Sequence, residues 1–383
     1  LKIASARMNE LAALKRIDFA NMFPQATARL NGNRETTNYG GDNFDADPEL
    51  SLTASISWEL DLWGNLRWAR DHSTAEFLAS VENCRAVKIG LVAQVAQSYF
   101  ELMALDNELA IVRRTLEARR EGVRLAEIRF KGGLTSEIVF QQAKVELAKT
   151  ATMVPDLERR ISLKESEIAL LTGDFPYAVN RNVLPEEIQL PDALPLGLPS
   201  TLLERRPDIR KAERELMAAH AEVGLAYTNM FPRLALTATL GAESETLRDL
   251  LKSPYSYLAG NLLSPLFAMG KNRAALKAKR TAYESAVAEY EKTVLTAFKE
   301  THDAIINFNK IKDIYESRRQ LAEASRTAVE LAQLQYINGV IGYLDLLDAQ
   351  RNYFDAQVSL SNAVCDKQLM IINLYKALGG GWK

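Results

Sequence analysis

The chain has 383 residues, enough for two or three ordinary domains, and its 47 basic and 49 acidic residues nearly balance. That balance gives no electrostatic case for a nucleic-acid-binding protein. The three histidines are scattered and no CxxC spacing exists, which argues against a metal site or a disulfide framework, so Cys84 and Cys365 are predicted to be unpaired and packed.

The first predicted element is a helix over residues 1–18, which reads as the middle of a longer amphipathic helix. Its counterpart in the second half of the chain is preceded by LLERRPDIR (202–210). The comparison of the two halves therefore predicts that upstream residues of this helix are missing. No signal peptide and no run of about 18 apolar residues is present.

A pair of strands is predicted after Pro24. QATARLNGNRETT (25–37) is followed by a polar, turn-rich loop over 38–49 and then by LSLTASISWELDLWG (50–64). The last stretch alternates between apolar and polar residues, which is typical of a strand with one apolar face. The apolar set is Leu52, Ala54, Ile56, Trp58 and Leu60, and the polar set is Ser51, Thr53, Ser55, Ser57, Glu59 and Asp61.

A long helix is predicted next, from Leu66 to Arg129, because this span contains no proline and only two glycines. A turn with the sequence KGG ends it, and a returning helix follows over about 134–171. A helix, a tight turn and a returning helix make an antiparallel hairpin.

The second half repeats the first. RFKGGLTSEIVFQQAK (129–144) lies over QYINGVIGYLDLLDAQ (335–350) at a shift of 206 residues, and the same shift lays Gly64 on Gly270. The four letters NMFP occur at 21–24 and again at 229–232, each time where a helical pattern gives way to an alternating one. The pattern indicates one long tandem duplication.

The duplication predicts a second set of strands and helices. One strand follows Pro232, and another lies near 254–263. The helix over 272–337 contains neither proline nor glycine and would be roughly 100 Å long if continuous, and a returning helix covers about 342–377.

The strands favour an outer-membrane β-barrel, because no apolar helix nearby could cover their apolar faces. Trp58, Trp63, Tyr255 and Tyr257 suit the aromatic residues that such strands carry near the membrane interfaces. Four strands cannot close a barrel, so the chain must oligomerise, with eight strands in a dimer or twelve in a trimer. Each NMFP then marks a helix that becomes a strand entering the membrane.

Two segments carry a resemblance to a known family. GLPSTLLERRPDIRKAERELMAAHAEVGLAYTNMFPRLALTATLG (197–241) resembles the linker and strand entry of TolC-like outer-membrane factors, in particular their OprM/NodT-type branch. GVIGYLDLLDAQRNYFDAQ (339–357) resembles their second hairpin tip. The duplication, both hairpins and all four strands agree with this family over essentially the whole chain.

The resemblance implies a mixed α and β membrane fold. Four strands per chain would join a trimeric, twelve-stranded barrel in the outer membrane of a Gram-negative bacterium, embedded in lipid. A long periplasmic α-helical barrel of antiparallel hairpins would continue it, with a small α/β equatorial region. Members of this branch are commonly lipid-anchored through an N-terminal cysteine, and the sequence has no such cysteine from which to predict an anchor.

These expectations divide the chain into eight segments. They are a truncated N-terminal helix (1–23), a first β-hairpin (24–63), a first long helical hairpin (64–173), an extended equatorial linker (174–206), a helix before the second hairpin (207–230), a second β-hairpin (231–268), a second long helical hairpin (269–378) and a C-terminal tail (379–383).

The implied function is passive export of drugs, toxic small molecules or metal ions, as in multidrug resistance. The homotrimer would receive its cargo from an inner-membrane RND-type pump through a periplasmic adaptor protein. No nucleophile motif, phosphate loop or HExxH motif is present, so no enzyme, cofactor or metal site is predicted. A type I secretion channel and, in a different class, a structural coiled-coil scaffold remain alternatives.

Asp345 and Asp348 stand three residues apart near the start of the second returning helix and share one helix face. Acidic residues favour helix starts through the macrodipole, which is a sufficient reason for their presence. The resemblance implies in addition that both line the narrow periplasmic entrance, where six carboxylates in a trimer would favour cations. Val139 and Gln142 occupy the matching positions of the first half.

The resemblance also places Tyr336, Tyr343 and Leu344 at this gate. Tyr336 matches a tyrosine whose side-chain interactions help to keep the tip closed, and Tyr343 and Leu344 resemble residues near the constriction of the OprM branch. Ordinary helix packing is the alternative for Tyr343 and Leu344. Ile341 stands where TolC has an arginine, so one possible ionic contact is lost.

Gly132, Gly133 and Gly339 are predicted to form the turns at the two tips. Helix termination by glycine is a sufficient explanation for them. The resemblance adds that an adaptor hairpin docks near these tips.

Overall fold

The computed structural model describes residues 1–37, 45–181, 204–265 and 268–380. Six α-helices and four strands are described in full. The helices are α1 (Lys2–Ala20), α2 (Asn65–Lys131), α3 (Glu137–Thr172), α4 (Pro207–Thr228), α5 (Lys271–Ile337) and α6 (Tyr343–Ala377). The strands are β1 (Gln25–Thr37), β2 (Asp45–Leu60), β3 (Arg233–Ser244) and β4 (Pro254–Leu263).

The chain divides into two compact units, Leu1–Ala86 with Pro207–Leu295 and Val87–Arg206 with Thr296–Lys383. The first unit contains the sheet, α1, α4 and the first parts of α2 and α5. The second contains α3, α6 and the remaining parts of α2 and α5. Each unit therefore draws on both halves of the duplication.

The duplication is visible in the backbone, because three pairs of equivalent glycines share the same conformation. All six have the left-handed φ that glycine adopts without a steric penalty, and each pair is related by the shift of 206 residues. The pairs are Gly64 and Gly270 (φ 82° and 79°), Gly133 and Gly339 (71° and 75°), and Gly173 and Gly379 (85° and 89°).

The sheet of the first unit is antiparallel, with the order β1-β2-β3-β4. The strand spans predicted at 25–37 and 254–263 are confirmed. The predicted loop over 38–49 is corrected at its end, because residues 45–49 already belong to β2. Residues 38–44 of that loop lie outside the described residues.

The apolar face of this sheet is the uncovered one. Ile56 is 54% exposed and Leu258, in the same row, is 80% exposed. On the opposite face Ser55 is partly covered, and its hydroxyl forms a 2.9 Å hydrogen bond with the hydroxyl of Thr239. Soluble sheets bury the apolar face, whereas outer-membrane strands turn it toward lipid.

The two tyrosines of β4 lie on the hydroxyl-bearing face. Tyr257 pairs with Thr239, and Tyr255 pairs with Gly241, so neither shares the apolar face of Trp58. A Cβ atom on Gly241 would lie 2.5 Å from the ring of Tyr255, so this glycine makes room for the ring. Aromatic residues on the apolar face therefore do not include these two tyrosines, and their expected place near the membrane interfaces stays a prediction.

Trp58 in β2 and Trp63, three residues after its end, each donate a hydrogen bond to one of the two NMFP segments. The indole N–H of Trp58 donates to the carbonyl of Met22 at 3.1 Å, and that of Trp63 donates to the carbonyl of Pro232 at 2.8 Å. The ring of Trp63 also stacks on Phe231 with centroids 5.0 Å apart. Both transitions from helix to strand, predicted at these prolines, are thus held by neighbouring side chains.

Within its described residues, the second unit has two small cores. The larger one lies between α2 and α3, and includes Leu102, Leu105, Leu109, Val112, Leu157, Ile161, Ile168 and Val179. The other lies between α5 and α6 and includes Ala304, Phe308, Leu374 and Ala377. The long uninterrupted helices predicted from the lack of proline are confirmed, since α2 and α5 each have 67 residues.

Cys84 and Cys365 are free, and burial raises the pKa of the Cys365 thiol to about 11. Among the described residues, no helix combines the length and apolar character needed to cross a membrane. Nor do those residues include a group of three or more His, Cys, Asp or Glu side chains placed to hold a metal ion. Most of the predicted equatorial linker (182–203) and residues 381–383 of the predicted tail lie outside the described part of the chain.

Candidate functional site

All eight site residues predicted from the sequence lie at or beside the tips of the two hairpins, in the second unit. The tips have the same turn. After Gly133 and after Gly339, the next residue donates its backbone N–H to the carbonyl five residues earlier, at 2.9 Å in both cases. Such a bond satisfies a carbonyl at the end of a helix and needs a left-handed residue, which glycine supplies. Gly132 lies just before the first of these turns.

Tyr336 is buried and joins the two tips through its ring. The guanidinium of Arg129, at the end of α2, lies 4.6 Å from the ring centroid, which is a cation–π distance. The same arginine donates to the carbonyl of Ile337 at 3.4 Å. The hydroxyl of Tyr336 has no hydrogen-bond partner within the described residues, so its contacts are those of the ring.

Tyr343 and Leu344, at the start of α6, face different surroundings. The ring of Tyr343 lies 5.7 Å from that of Tyr336, and burial raises the pKa of Tyr343. The two tyrosines line a small cavity of about 40 Å³ together with Arg119 and Glu146. Leu344 is exposed on the outer side of the helix. Of the three predicted gate residues, Leu344 therefore lies at the surface, whereas Tyr336 and Tyr343 lie beneath it.

Asp345 and Asp348 share the exposed face of α6, as their spacing predicts, while Leu347 next to them is buried. Asp345 Oδ2 accepts the backbone N–H of Gly342 at 3.0 Å and so caps the helix start. Asp348 Oδ2 accepts a hydrogen bond from the amide of Asn352 at 3.2 Å. The helix-start explanation therefore holds for Asp345, and its cap leaves the carboxylate at the surface.

A cluster of charged residues beneath the tips was not found by sequence reasoning. Its centre is Glu146 on α3, whose side chain is 5% exposed. Glu146 Oε2 accepts from Arg119 of α2 at 2.7 Å, and Oε1 accepts from Arg351 of α6 in a short contact. Lys149 approaches Oε1 at 3.2 Å. One buried carboxylate thus joins the first hairpin to the second.

The hydrogen bond from Arg351 is the main reason why the pKa of Glu146 falls to about 2; burial acts in the opposite direction. A carboxylate with a lowered pKa adds stability that is complete above its ordinary value of 4.5. That contribution declines as the pH falls from 4.5 and is gone below about 2, whereas Glu146 in the folded protein stays ionised until the pH approaches 2.

The sequence did contain a signal for this cluster. Along α3 the buried positions recur at intervals of three and four residues, as in Ala143, Thr150 and Leu157, and Glu146 occupies a position of the same series. A charged residue within an apolar helix seam needs a partner, because an unpaired buried charge is costly. The spacing of buried positions along α3 does not show which basic residues pair with Glu146.

The family described as outer membrane efflux protein matches residues 1–174 and 198–380. The solvent efflux pump outer membrane protein SrpC of Pseudomonas putida is 33% identical, with 100% of this chain and 82% of SrpC covered. The outer membrane protein OprJ of Pseudomonas aeruginosa is also 33% identical, with 96% of this chain and 78% of OprJ covered. The solved structure of the outer-membrane channel OprN has a TM-score of 0.92 at 29% identity, covering 100% of this chain and 87% of that one.

Proposed function

The chain belongs to the outer membrane efflux protein family, and from that premise we propose that it is the outer-membrane exit duct of a tripartite efflux system. The protein resides in the outer membrane of a Gram-negative bacterium, with its helices in the periplasm. It exports passively and has no catalytic activity of its own. SrpC is named for solvent efflux. By similarity, small apolar compounds are favoured as the cargo of this chain over the proteins that a type I secretion channel would export.

The observation that carries this function is the orientation of the sheet. Its apolar face is exposed, with Leu52, Leu236 and Leu262 uncovered beside Ile56 and Leu258, while on the two inner strands, β2 and β3, the hydroxyl-bearing face is the more shielded one. This is the opposite of a soluble sheet and suits strands with lipid outside and water inside. In a coiled-coil scaffold with a soluble sheet domain, the apolar face of the sheet would be buried against a core.

The chain acts as a homotrimer in this proposal. Within the described residues β1 and β4 each pair on one side only, and an open edge is not tolerated in lipid. In the order β1-β2-β3-β4 the two outer strands run in opposite directions, so β1 of one copy and β4 of the next can pair antiparallel. Three copies then close twelve strands.

Two apolar rows in the second unit also support assembly. Cyclic rings use two different complementary patches on each copy. One row lies on α3, and the other lies on α5. The members of the first are Ile138, Val145, Leu163 and Leu170, and those of the second are Ile306, Ile314, Leu321 and Leu331, all of them exposed.

A periplasmic adaptor and an inner-membrane RND-type pump deliver the cargo. The adaptor docks at the tips around Gly132, Gly133 and Gly339, where exposed apolar side chains such as Leu134 and Val340 surround the turns. Asp345, Asp348 and Leu344 line the periplasmic entrance on the exposed face of α6. Tyr336 and Tyr343 hold that face in place from beneath.

Reconstitution tests the duct directly. Purified in detergent and added to planar lipid bilayers, the protein should insert and conduct ions. A protein that stays soluble without detergent and forms no channel would support the scaffold alternative and overturn this function.

A further inference from the structure

We propose that Tyr255 and Tyr257 form an aromatic surface on the inner wall of the β-barrel, and that small aromatic cargo binds there by stacking on their rings. The inference rests on the proposed function, because the hydroxyl-bearing face of the sheet lines the passage only if the chain is an exit duct. It assigns a substrate class and two contact residues to the strands rather than to the hairpin tips.

The register of the sheet places both rings on the hydroxyl-bearing face. Residues two apart on a strand point to the same side, and on β4 Tyr257 pairs with Thr239 while Tyr255 pairs with Gly241. In a duct whose apolar face meets lipid, the hydroxyl-bearing face is the one that meets water and cargo.

The positions beside the tyrosines on β3 and β2 carry small, uncharged residues. They are Thr239 and Ser55 in one row, and Gly241 and Thr53 in the other. The hydroxyls of Ser55 and Thr239 form a hydrogen bond of 2.9 Å with each other, so they already have a partner. The two tyrosine rings therefore offer the largest apolar surface in these rows.

Both rings are accessible from the passage side of the sheet. Tyr255 is 39% exposed and Tyr257 is 52% exposed, so neither is used up in packing within the chain. Three copies of the chain would place such a pair at three points around the wall.

Gly241 determines how the ring of Tyr255 lies. A Cβ atom on this glycine would lie 2.5 Å from the Cζ atom of Tyr255, so the end of the ring lies over β3 instead of standing out into the passage. Covering a strand glycine with an aromatic ring also stabilises a sheet, which is a sufficient reason for Tyr255 alone. That reason does not apply to Tyr257, because Thr239 lies opposite it.

Exposed tyrosine rings favour aromatic compounds over other small cargo. Aromatic rings attract one another in offset or edge-to-face arrangements, beyond the effect of the apolar area that they bury. An apolar molecule that leaves water for these rings also gains from the burial of its surface. The surface is open, so the contact is weak, and weak contact suits a duct because cargo must leave as readily as it enters.

Block of single-channel current in planar bilayers measures this contact. The probe is benzyltrimethylammonium, and the reference probe is tetramethylammonium, which has the same cationic head without the ring. Tyr255→Leu combined with Tyr257→Leu should raise the half-blocking concentration of the benzyl probe by about threefold or more. Tyr255→Phe combined with Tyr257→Phe keeps both rings and should leave it unchanged. Block by tetramethylammonium should be the same in all these proteins.

A matched control moves one ring to the other face of the same strand. Leu258 follows Tyr257 and lies on the apolar face. Tyr257→Leu combined with Leu258→Tyr keeps the composition of β4 but should be blocked as weakly as Tyr257→Leu alone. Gly241→Ala should weaken block of the otherwise wild-type channel, because its methyl group displaces the ring of Tyr255. The same change should add nothing to Tyr255→Leu.

The outcomes distinguish the aromatic surface from the duct itself. A mass measurement on each detergent-solubilised variant identifies any that fails to assemble, and Tyr257→Leu, which uncovers no glycine, keeps the test usable if the double variant does. If the assembled leucine variants are blocked by the benzyl probe like the wild type, the aromatic surface is refuted while the duct stands. If block by both probes weakens equally, the rings act on the cationic head and the aromatic class of cargo is wrong. If the wild type forms no channel, the proposed function fails and this inference fails with it.

Discussion

The ring of Tyr336 rather than its hydroxyl joins the two tips, and this distinction can be tested at the scale of one residue. Tyr336→Phe should leave the tip as stable as before, because the hydroxyl has no partner among the described residues. Tyr336→Ala should destabilise it by about 3 kcal/mol, as for other buried aromatic deletions. Amide hydrogen exchange of residues 336–343 measures the difference. Equal loosening by both changes would show that the hydroxyl matters.

The carboxylates of Asp345 and Asp348 should set the ion selectivity of the entrance. Changing both to asparagine keeps size and hydrogen bonding, including an acceptor for the Gly342 N–H, but removes the charge. In planar bilayers the double variant should lose cation selectivity and block by divalent ions. Asp313→Asn, at an exposed position of α5, is the control. Unchanged selectivity would leave the two aspartates with their role at the helix start only.

At the scale of one strand, the two faces of β2 should tolerate charge differently. Ile56 lies on the exposed apolar face and Ser57 on the hydroxyl-bearing face, opposite Thr237. Ile56→Arg should cost about 2–4 kcal/mol if the residue lies near the bilayer midplane, and Ser57→Arg much less. Urea titration of folding into lipid vesicles gives both values. Equal tolerance would mean that the strand is not embedded in the membrane.

At the scale of the whole molecule, the four strands of each chain must close into a barrel with those of other copies, and the family resemblance implies three copies. The mass of the detergent-solubilised protein, corrected for bound detergent, should correspond to about three chains. A clean monomer or dimer would rule out the twelve-stranded barrel.

The apolar row on α3 gives a second test of assembly. Leu163→Glu places a charge in that row, where burial against a neighbouring copy would leave it unpaired, and should reduce the trimer fraction. Ser162→Glu changes the adjacent exposed position and should not. Native mass spectra of the two variants make the comparison, and an intact trimer for Leu163→Glu would show that the row lies outside the interface.

Much of the fold was predictable because its signals are local. The absence of proline predicted α2 and α5, alternation predicted β2, and glycines predicted the turns at the two tips. Asp345 and Asp348 share a face because three residues is nearly one helical turn. These features depend on neighbours within a few positions, which the sequence alone determines.

Only the tertiary structure decided which of these segments meet. Tyr255 and Tyr257 lie on the hydroxyl-bearing face because of the register of β4 against β3, and a shift of one residue would have placed them on the other face. Glu146 meets Arg351 because two helices about 200 residues apart pack with particular rotations. Register and rotation arise from contacts between distant segments, so no local pattern contains them.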